Sequence, residues 1–302
     1  TGSGRSQNGS IMANLSRENL KSRFRVALST PAYLKDHFFE GRIVFPAVEA
    51  MITLARAMGN RYPGAALRTL TQAHFPRILA VDPAGSQTDA EIELSVSDTG
   101  ISASLLTTLE VKARTMSRTL EHARVTFTGG TALPEASISF RQARKLETEC
   151  INVPAAAIYR ELIPFGPAYQ NIVGDLSVSE DGALADIRGG SGEADESLLG
   201  SPFVLDAAMH AACVWGQRFA GIVAFPVGFD HRTIHQPTRR GGSYLARIKP
   251  VQTRCEPLIF DVWIFDQNGI IHESIGGLRM RDVTRGRMRP PDWLMESVWK
   301  KS

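Results

Sequence analysis

The sequence predicts an α+β fold made of two similar halves. Three observations carry that reading. Two long apolar runs have helical character: PAVEAMITLARAMGN from Pro46 and PFVLDAAMHAACVWGQRF from Pro202. Each is followed by strand-like runs whose alternation and β-branched content fit an antiparallel sheet. The 302 residues suffice for one large domain or two smaller ones with a substantial core.

The first ten residues, TGSGRSQNGS, lack the apolar stretch of a signal peptide and read as a leader outside the fold. A first unit is expected over residues 11–130. It opens with a polar, charged segment from Asn14 to Arg25 and continues into DHFFEGRIVFPA. In the following run Val48, Ile52 and Ala55 form one stripe, and Met51, Leu54 and Met58 form its neighbour. That face is broad enough for a buried helix. Pro46 suits the first turn, and Gly59-Asn60 supplies the stop. LRTLTQAHF, ILAVD, AEIELSVSD, ISASLLTTLEV and HARVTFTG then read as strands.

Residues 131–150 read as a connector. The second unit is expected over residues 151–286. It starts with a helical segment from Pro154 to Leu162, which LIPFGPAYQNI breaks with two prolines and a glycine. Strand-like DLSVSE and ALADIRG come next, then a Gly/Ser/acidic loop and the second apolar helix. SYLARIKPV, LIFDVWIFD and IIHESIGGLRMRDV complete the unit, with Asn268-Gly269 marking a hairpin turn. Residues 287–302 read as a C-terminal linker or tail. A long apolar helix followed by a meander, twice over, is an internal repeat at the level of architecture.

Composition narrows the function. Hydrophobic residues at 43% and charged residues at 22% are ordinary for a soluble globular protein. A net charge of +3, with basic residues scattered among acids, argues against nucleic acid as a partner. Arg239, Arg240, Arg247 and Lys249 come nearest to a patch and read as a solvated strand-and-loop surface. Cys150, Cys213 and Cys255 are odd in number and form no CxxC, so neither zinc nor a disulfide framework is expected. Cys213 reads as a small core residue, and a reducing cytoplasm fits best. No apolar stretch approaches the roughly 18 residues that span a bilayer, so no membrane is expected.

Two stretches carry chemistry. His37 lies in a turn-like, Gly-containing segment just before the first long helix, where a neutral imidazole can accept a proton. Asp206 falls inside an otherwise apolar run, where lost hydration is expected to raise its pKa and keep it as a neutral acid. His210 is four residues on, shares a helix face with Asp206, and is expected to orient it. His74, His122, His231, His235 and His272 read as hydrogen-bonded structural histidines. No HExxH-type signature accompanies the Asp206–His210 pair, so no metal is expected.

At these residues the sequence resembles the dehydratase domains of type I polyketide and fatty acid synthases. The family's HxxxGxxxxP motif is matched by His37, Gly41 and Pro46, and its DxxxQ/H motif by Asp206 and His210. Its GYxYGPxF motif is matched in part by LIPFGPAY, with Gly166 and Pro167 in place and Tyr169 for the final Phe. FPVGF at Phe225 to Phe229 and the closing IHESIGGLRMRDV are further echoes. The resemblance covers about residues 20–285.

It implies a double hotdog, in which two antiparallel sheets each wrap a long central helix. His37 would be the base that takes the α-proton, and Asp206 the acid that protonates the leaving β-hydroxyl. A backbone N–H at the start of a central helix would polarise the thioester carbonyl. Phe45, Phe165 and Met209 would border the acyl tunnel. No cofactor is needed, because the substrate arrives on the phosphopantetheine arm of an acyl carrier protein. That protein and the other domains of a multidomain synthase are the implied partners, and such domains often pair as homodimers.

The sequence also departs from the family. Leu162, Ile163 and Phe165 replace the first Gly and both Tyr residues of the middle motif, and Ala47 follows Pro46 where Gly is common. Phe165 cannot donate the hydrogen bond of a Tyr. These changes leave open a double-bond isomerase or a product-template-like cyclase on the same scaffold. A non-catalytic acyl-binding or structural domain is the alternative of another class.

Overall fold

A computed structural model of the chain describes residues 21–82, 87–111, 116–129, 138–191 and 197–296. The expected leader, residues 131–137 of the expected connector and the end of the tail lie outside the described residues.

The first half holds β1 (Lys21–Ser29), β2 (Phe38–Phe39), β3 (Arg42–Phe45), β4 (Thr69–His74), β5 (Leu79–Ala80), β6 (Gln87–Ser97), β7 (Gly100–Val111) and β8 (Met116–Phe127). The second holds β9 (Ile151–Pro154), β10 (Ile172–Ser179), β11 (Gly182–Arg188), β12 (Phe225–Ile234), β13 (Ser243–Gln252), β14 (Leu258–Asp266) and β15 (Ile271–Arg281). A central helix runs through each half, Ala47–Arg61 in the first and Pro202–Trp215 in the second. The first packs against β6, β7 and β8, the second against β10 to β13, and the two helices touch. Every residue of the second helix is buried, as its all-round apolar surface requires. This is the double hotdog.

The two sheets meet edge to edge. The strand order is β1-β6-β7-β8-β4-β12-β15-β14-β13-β11-β10-β9, all antiparallel. The seam is the β4–β12 pair, running from Gly228↔His74 to Thr233↔Thr69. Beside it lies a buried ion pair. Arg232 donates from Nε at 2.9 Å and Nη2 at 2.7 Å to Glu273 Oε2, and also from Nη2 to the Leu199 carbonyl. Its Nη1 reaches Met51 Sδ on the first central helix at 3.8 Å. One guanidinium therefore touches both halves and the loop that leads into the second helix.

The structure corrects some expectations and meets others. The polar segment ending at Arg25 leads into β1, an edge strand whose Phe24, Val26 and Leu28 turn inward while Lys21, Arg23 and Arg25 face out. Charges on the outer face of an edge strand are a common guard against aggregation. The Pro154–Leu162 segment is a strand end, one short helical turn and a π-helical turn over Ile158–Leu162. Arg247 is not solvated. It is 5% exposed and donates to Asp181 Oδ2 and the Ile248 carbonyl, both at 2.7 Å. The Asn268-Gly269 turn stands between β14 and β15, with the Asp266 carboxylate accepting from the Asn268 and Ile270 amides. No helix among the described residues is long and apolar enough to cross a membrane.

Candidate active site

The spacing His37, Gly41, Pro46 has a direct geometric meaning. Phe38↔Ile43 and Phe39↔Arg42 pair in a tight hairpin, and Glu40 and Gly41 make its turn with φ of 48° and 74°. Positive φ at both central positions is the type I′ requirement, which Gly meets without strain. One step out, His37 sits opposite Val44, whose N–H donates to the His37 carbonyl at 2.9 Å. The His37 side chain closes the same pair, with Nδ1 2.9 Å from the Val44 carbonyl. A carbonyl only accepts, so Nδ1 carries the hydrogen and Nε2 keeps its lone pair. Pro46 then turns the chain into the first central helix.

Asp206 and His210 project from the second central helix, both buried. His210 Nε2 lies 2.9 Å from Asp206 Oδ2, in contact but without hydrogen-bond alignment. Asp206 Oδ2 and both His210 ring nitrogens have no hydrogen-bond partner among the described residues. His37, Asp206 and His210 all line one cavity of about 1160 Å³. His37 is half-buried, and its remaining surface opens into this space.

The middle motif closes the ring around them. Phe165 lies between the two imidazoles, with centroids 4.3 Å from His37 and 5.3 Å from His210. Tyr169 packs on His37 at 4.9 Å and is fully buried. Gly166 and Pro167 bring this loop against Asp36, the residue before His37. The Asp36 carbonyl accepts from Gly166 N, and its Oδ2 accepts from Ala168 N, both at 2.8 Å. A Cβ on Gly166 would stand 2.4 Å from Asp36 Cγ. Gly166→Ala is therefore expected to lose about 1–3 kcal/mol of stability by overpacking, read as a lower Tm in thermal denaturation.

Electrostatics separates the two ionisable partners. Burial lowers the His37 pKa below its ordinary value, against an upward pull from Asp206, and so favours the neutral imidazole. Asp206 departs from the sequence expectation. Burial alone would raise it, but the His210 and His37 imidazoles outweigh burial and draw the carboxyl below its ordinary range. Before substrate enters, Asp206 favours the carboxylate.

Phe45, Phe165 and Met209 line the cavity, and Gly41 and Pro46 border it. So does Ala47, whose N–H opens the first helix without an intrahelical acceptor. Sequence reading overlooks two contributors. Asp36 clasps the Gly166 loop, and its only sequence sign is its place before His37. Cys213 is a buried core residue, as its sequence context predicts, and it also borders the cavity one helical turn beyond His210.

Comparisons with known proteins bear on the fold and on the second half of the sequence. Residues 153–290, in the second half, match the family model described as polyketide synthase dehydratase N-terminal domain. Over 231 residues, 73% of this chain, it is 26% identical to a polyunsaturated fatty acid synthase from Thraustochytrium sp., and it spans 8% of that protein's length. The dehydratase domain from the CurF module of curacin polyketide synthase superposes with a TM-score of 0.69 at 19% identity, covering 89% of this chain and 96% of that one. The dehydratase domain of a mycocerosic acid synthase-like polyketide synthase gives 0.67 at 18% identity, covering 88% and 92%. In its second half the chain is similar in sequence to polyketide synthase dehydratase domains, and across both halves it shares the fold of those solved dehydratase domains.

Proposed function

We propose that the chain removes water from a 3-hydroxyacyl thioester, carried on the phosphopantetheine arm of an acyl carrier protein, as one domain of a polyketide or polyunsaturated-lipid synthase. The observation that supports this most is the pairing in one cavity of an imidazole whose Nε2 keeps its lone pair and a buried carboxyl from the other half. Two variants of a structurally similar dehydratase, one with a His replaced by Phe and one with an Asp replaced by Asn, are described as inactive.

In this reading the α-carbon C–H bond breaks toward His37 Nε2. Its electron pair forms the α,β double bond, and the β-carbon–oxygen bond breaks. The hydroxyl leaves as water with the Asp206 proton. The Ala47 N–H steadies enolate charge on the thioester oxygen. Substrate entry expels water and seats an uncharged hydroxyl against Asp206, which favours the protonated carboxyl, so one proton is taken up from solvent as the substrate binds. Afterwards the imidazolium and carboxylate share the cavity with the water just released. Proton return from His37 to Asp206 restores the neutral base and the protonated acid, and the proton taken up on substrate binding is released as the product leaves and water returns.

The test is product mass after incubation with a 3-hydroxyacyl pantetheine thioester. Loss of one water in the wild type, absent in His37→Ala and Asp206→Asn, is the expected result. A relocated double bond without mass change, given an unsaturated thioester, would replace elimination by isomerisation. Phe165 keeps that second reading in view, and one structural neighbour is described as an isomerase-inactive variant. Binding without turnover would make this a non-catalytic acyl-binding domain.

A titration checks the electrostatics separately. His37 is expected to titrate below the ordinary value of 6.5 by NMR. In Asp206→Asn the carboxylate that favours the imidazolium is gone, so the titration should move further down. An upward move would contradict the pairing.

A further inference from the structure

Asp36 ends a tight helical turn over Ala32–Asp36 in the first half, one residue before the base. A second tight turn, Pro167–Tyr169, stands against it from the second half, with Gly166 as its cap. The start of such a turn leaves backbone N–H groups that the turn itself cannot pair. Here they are those of Gly166 and Ala168, because Pro167 has none. Gly166 N donates to the Asp36 carbonyl and Ala168 N to its Oδ2, both at 2.8 Å. One residue therefore caps the turn from across the junction of the halves.

This cap places two rings on the base. Phe165 lies just before the turn and Tyr169 ends it, with centroids 4.3 Å and 4.9 Å from the His37 ring. The loop is closed on itself by Phe165 N donating to the Ile163 carbonyl at 2.7 Å and Gln170 Nε2 donating to the Phe165 carbonyl at 2.8 Å. Asp36 ties that closed loop to the stretch of chain that carries His37. The charges that act most on His37 are those of Asp206 and His210, both on the second central helix, and Asp36 is not among them. Its influence on the base runs through the loop instead. Rings packed on an imidazole displace water from its faces, and loss of hydration is the main cause that lowers the His37 pKa.

We propose that Asp36 is a positioning residue for the base: by capping a turn of the opposite half, its side chain holds Phe165 and Tyr169 on the His37 ring, fixes the ring's aim and keeps water from its faces. The role needs an oxygen acceptor at this place and makes no use of the negative charge. The inference rests on the dehydratase reading for its effect on rate and deepens it, because it makes the junction of the halves part of the base.

Asp36→Ala, Asp36→Ser and Asp36→Asn in the full chain test it by two readouts. Asparagine keeps an oxygen that accepts the Ala168 N–H, the serine hydroxyl stops short of it, and alanine offers nothing. With a 3-hydroxyacyl pantetheine thioester, Asp36→Ala is expected to lower kcat by about 10–100-fold with KM little changed, the cost of a base displaced by about an ångström. By NMR on the ligand-free protein, the His37 titration should move up in Asp36→Ala, toward the ordinary 6.5, because water reaches the ring. Direct loss of a nearby negative charge would move it down, so the sign separates the two routes. Asp36→Asn should stay close to the wild type in both readouts. Asp36→Ser should follow Asp36→Ala, and stands in for it if the alanine variant fails to fold. An unchanged kcat, a downward or absent shift of the titration, or an Asp36→Asn protein as damaged as Asp36→Ala would overturn the proposal. Should the wild type turn over no thioester, the dehydratase reading fails, and the titration judges the role of Asp36 by itself.

Discussion

His37→Ala is expected to lower kcat/KM for water loss by about 10²–10⁴-fold, the usual contribution of a positioned general base. The ring is held by the Val44 carbonyl on one nitrogen and by Phe165 and Tyr169 on its faces, so no neighbouring side chain can take over its place. Asp206→Asn keeps the shape of the carboxyl but has no proton to give, and a loss of similar size is expected. The two groups act on one transition state, so the double variant should be little worse than the poorer single one. Steady-state rates on a pantetheine thioester measure all three. A His37→Ala protein retaining most of its rate would remove this residue from the mechanism.

The second large effect is on stability. Arg232→Met is expected to cost about 3–5 kcal/mol, because it leaves the Glu273 carboxylate buried without its cation. For a chain of this size that is a fall of about 10 °C in Tm. Arg232→Met combined with Glu273→Leu should recover most of the loss, since the orphaned charge is gone. Thermal denaturation of both variants measures this. A double variant no better than the single would mean that Arg232 acts through Met51 and the Leu199 carbonyl instead.

Much of this is legible in the sequence, for physical reasons that differ by element. The two central helices announce themselves because long apolar runs have no alternative but burial. The Asn268-Gly269 turn is legible because few residues accept its backbone. β1 is hidden by its charged outer face, and β12 by Pro226, Gly228 and the polar run after them, which interrupt alternation at a bulge. Arg247 reads as a surface residue because Asp181, its acceptor, lies 66 positions away. The charge state of Asp206 is hidden for a related reason. Its burial shows in its apolar neighbours, but the balance by which His210, and after it His37, outweighs that burial does not. His122 reads as a hydrogen-bonded structural residue, and it is one; its place on the cavity wall depends on a bulge, which leaves no mark on residue pattern.

The β4–β12 seam has a consequence for how a substrate gets in. A wall that is one hydrogen-bonded sheet from β1 to β9 offers no crease on which two lobes could part and clamp down. In the proposed reaction, loading is then threading: a slender arm slides lengthwise past fixed walls, and the bore, rather than any gripping motion, sets what passes.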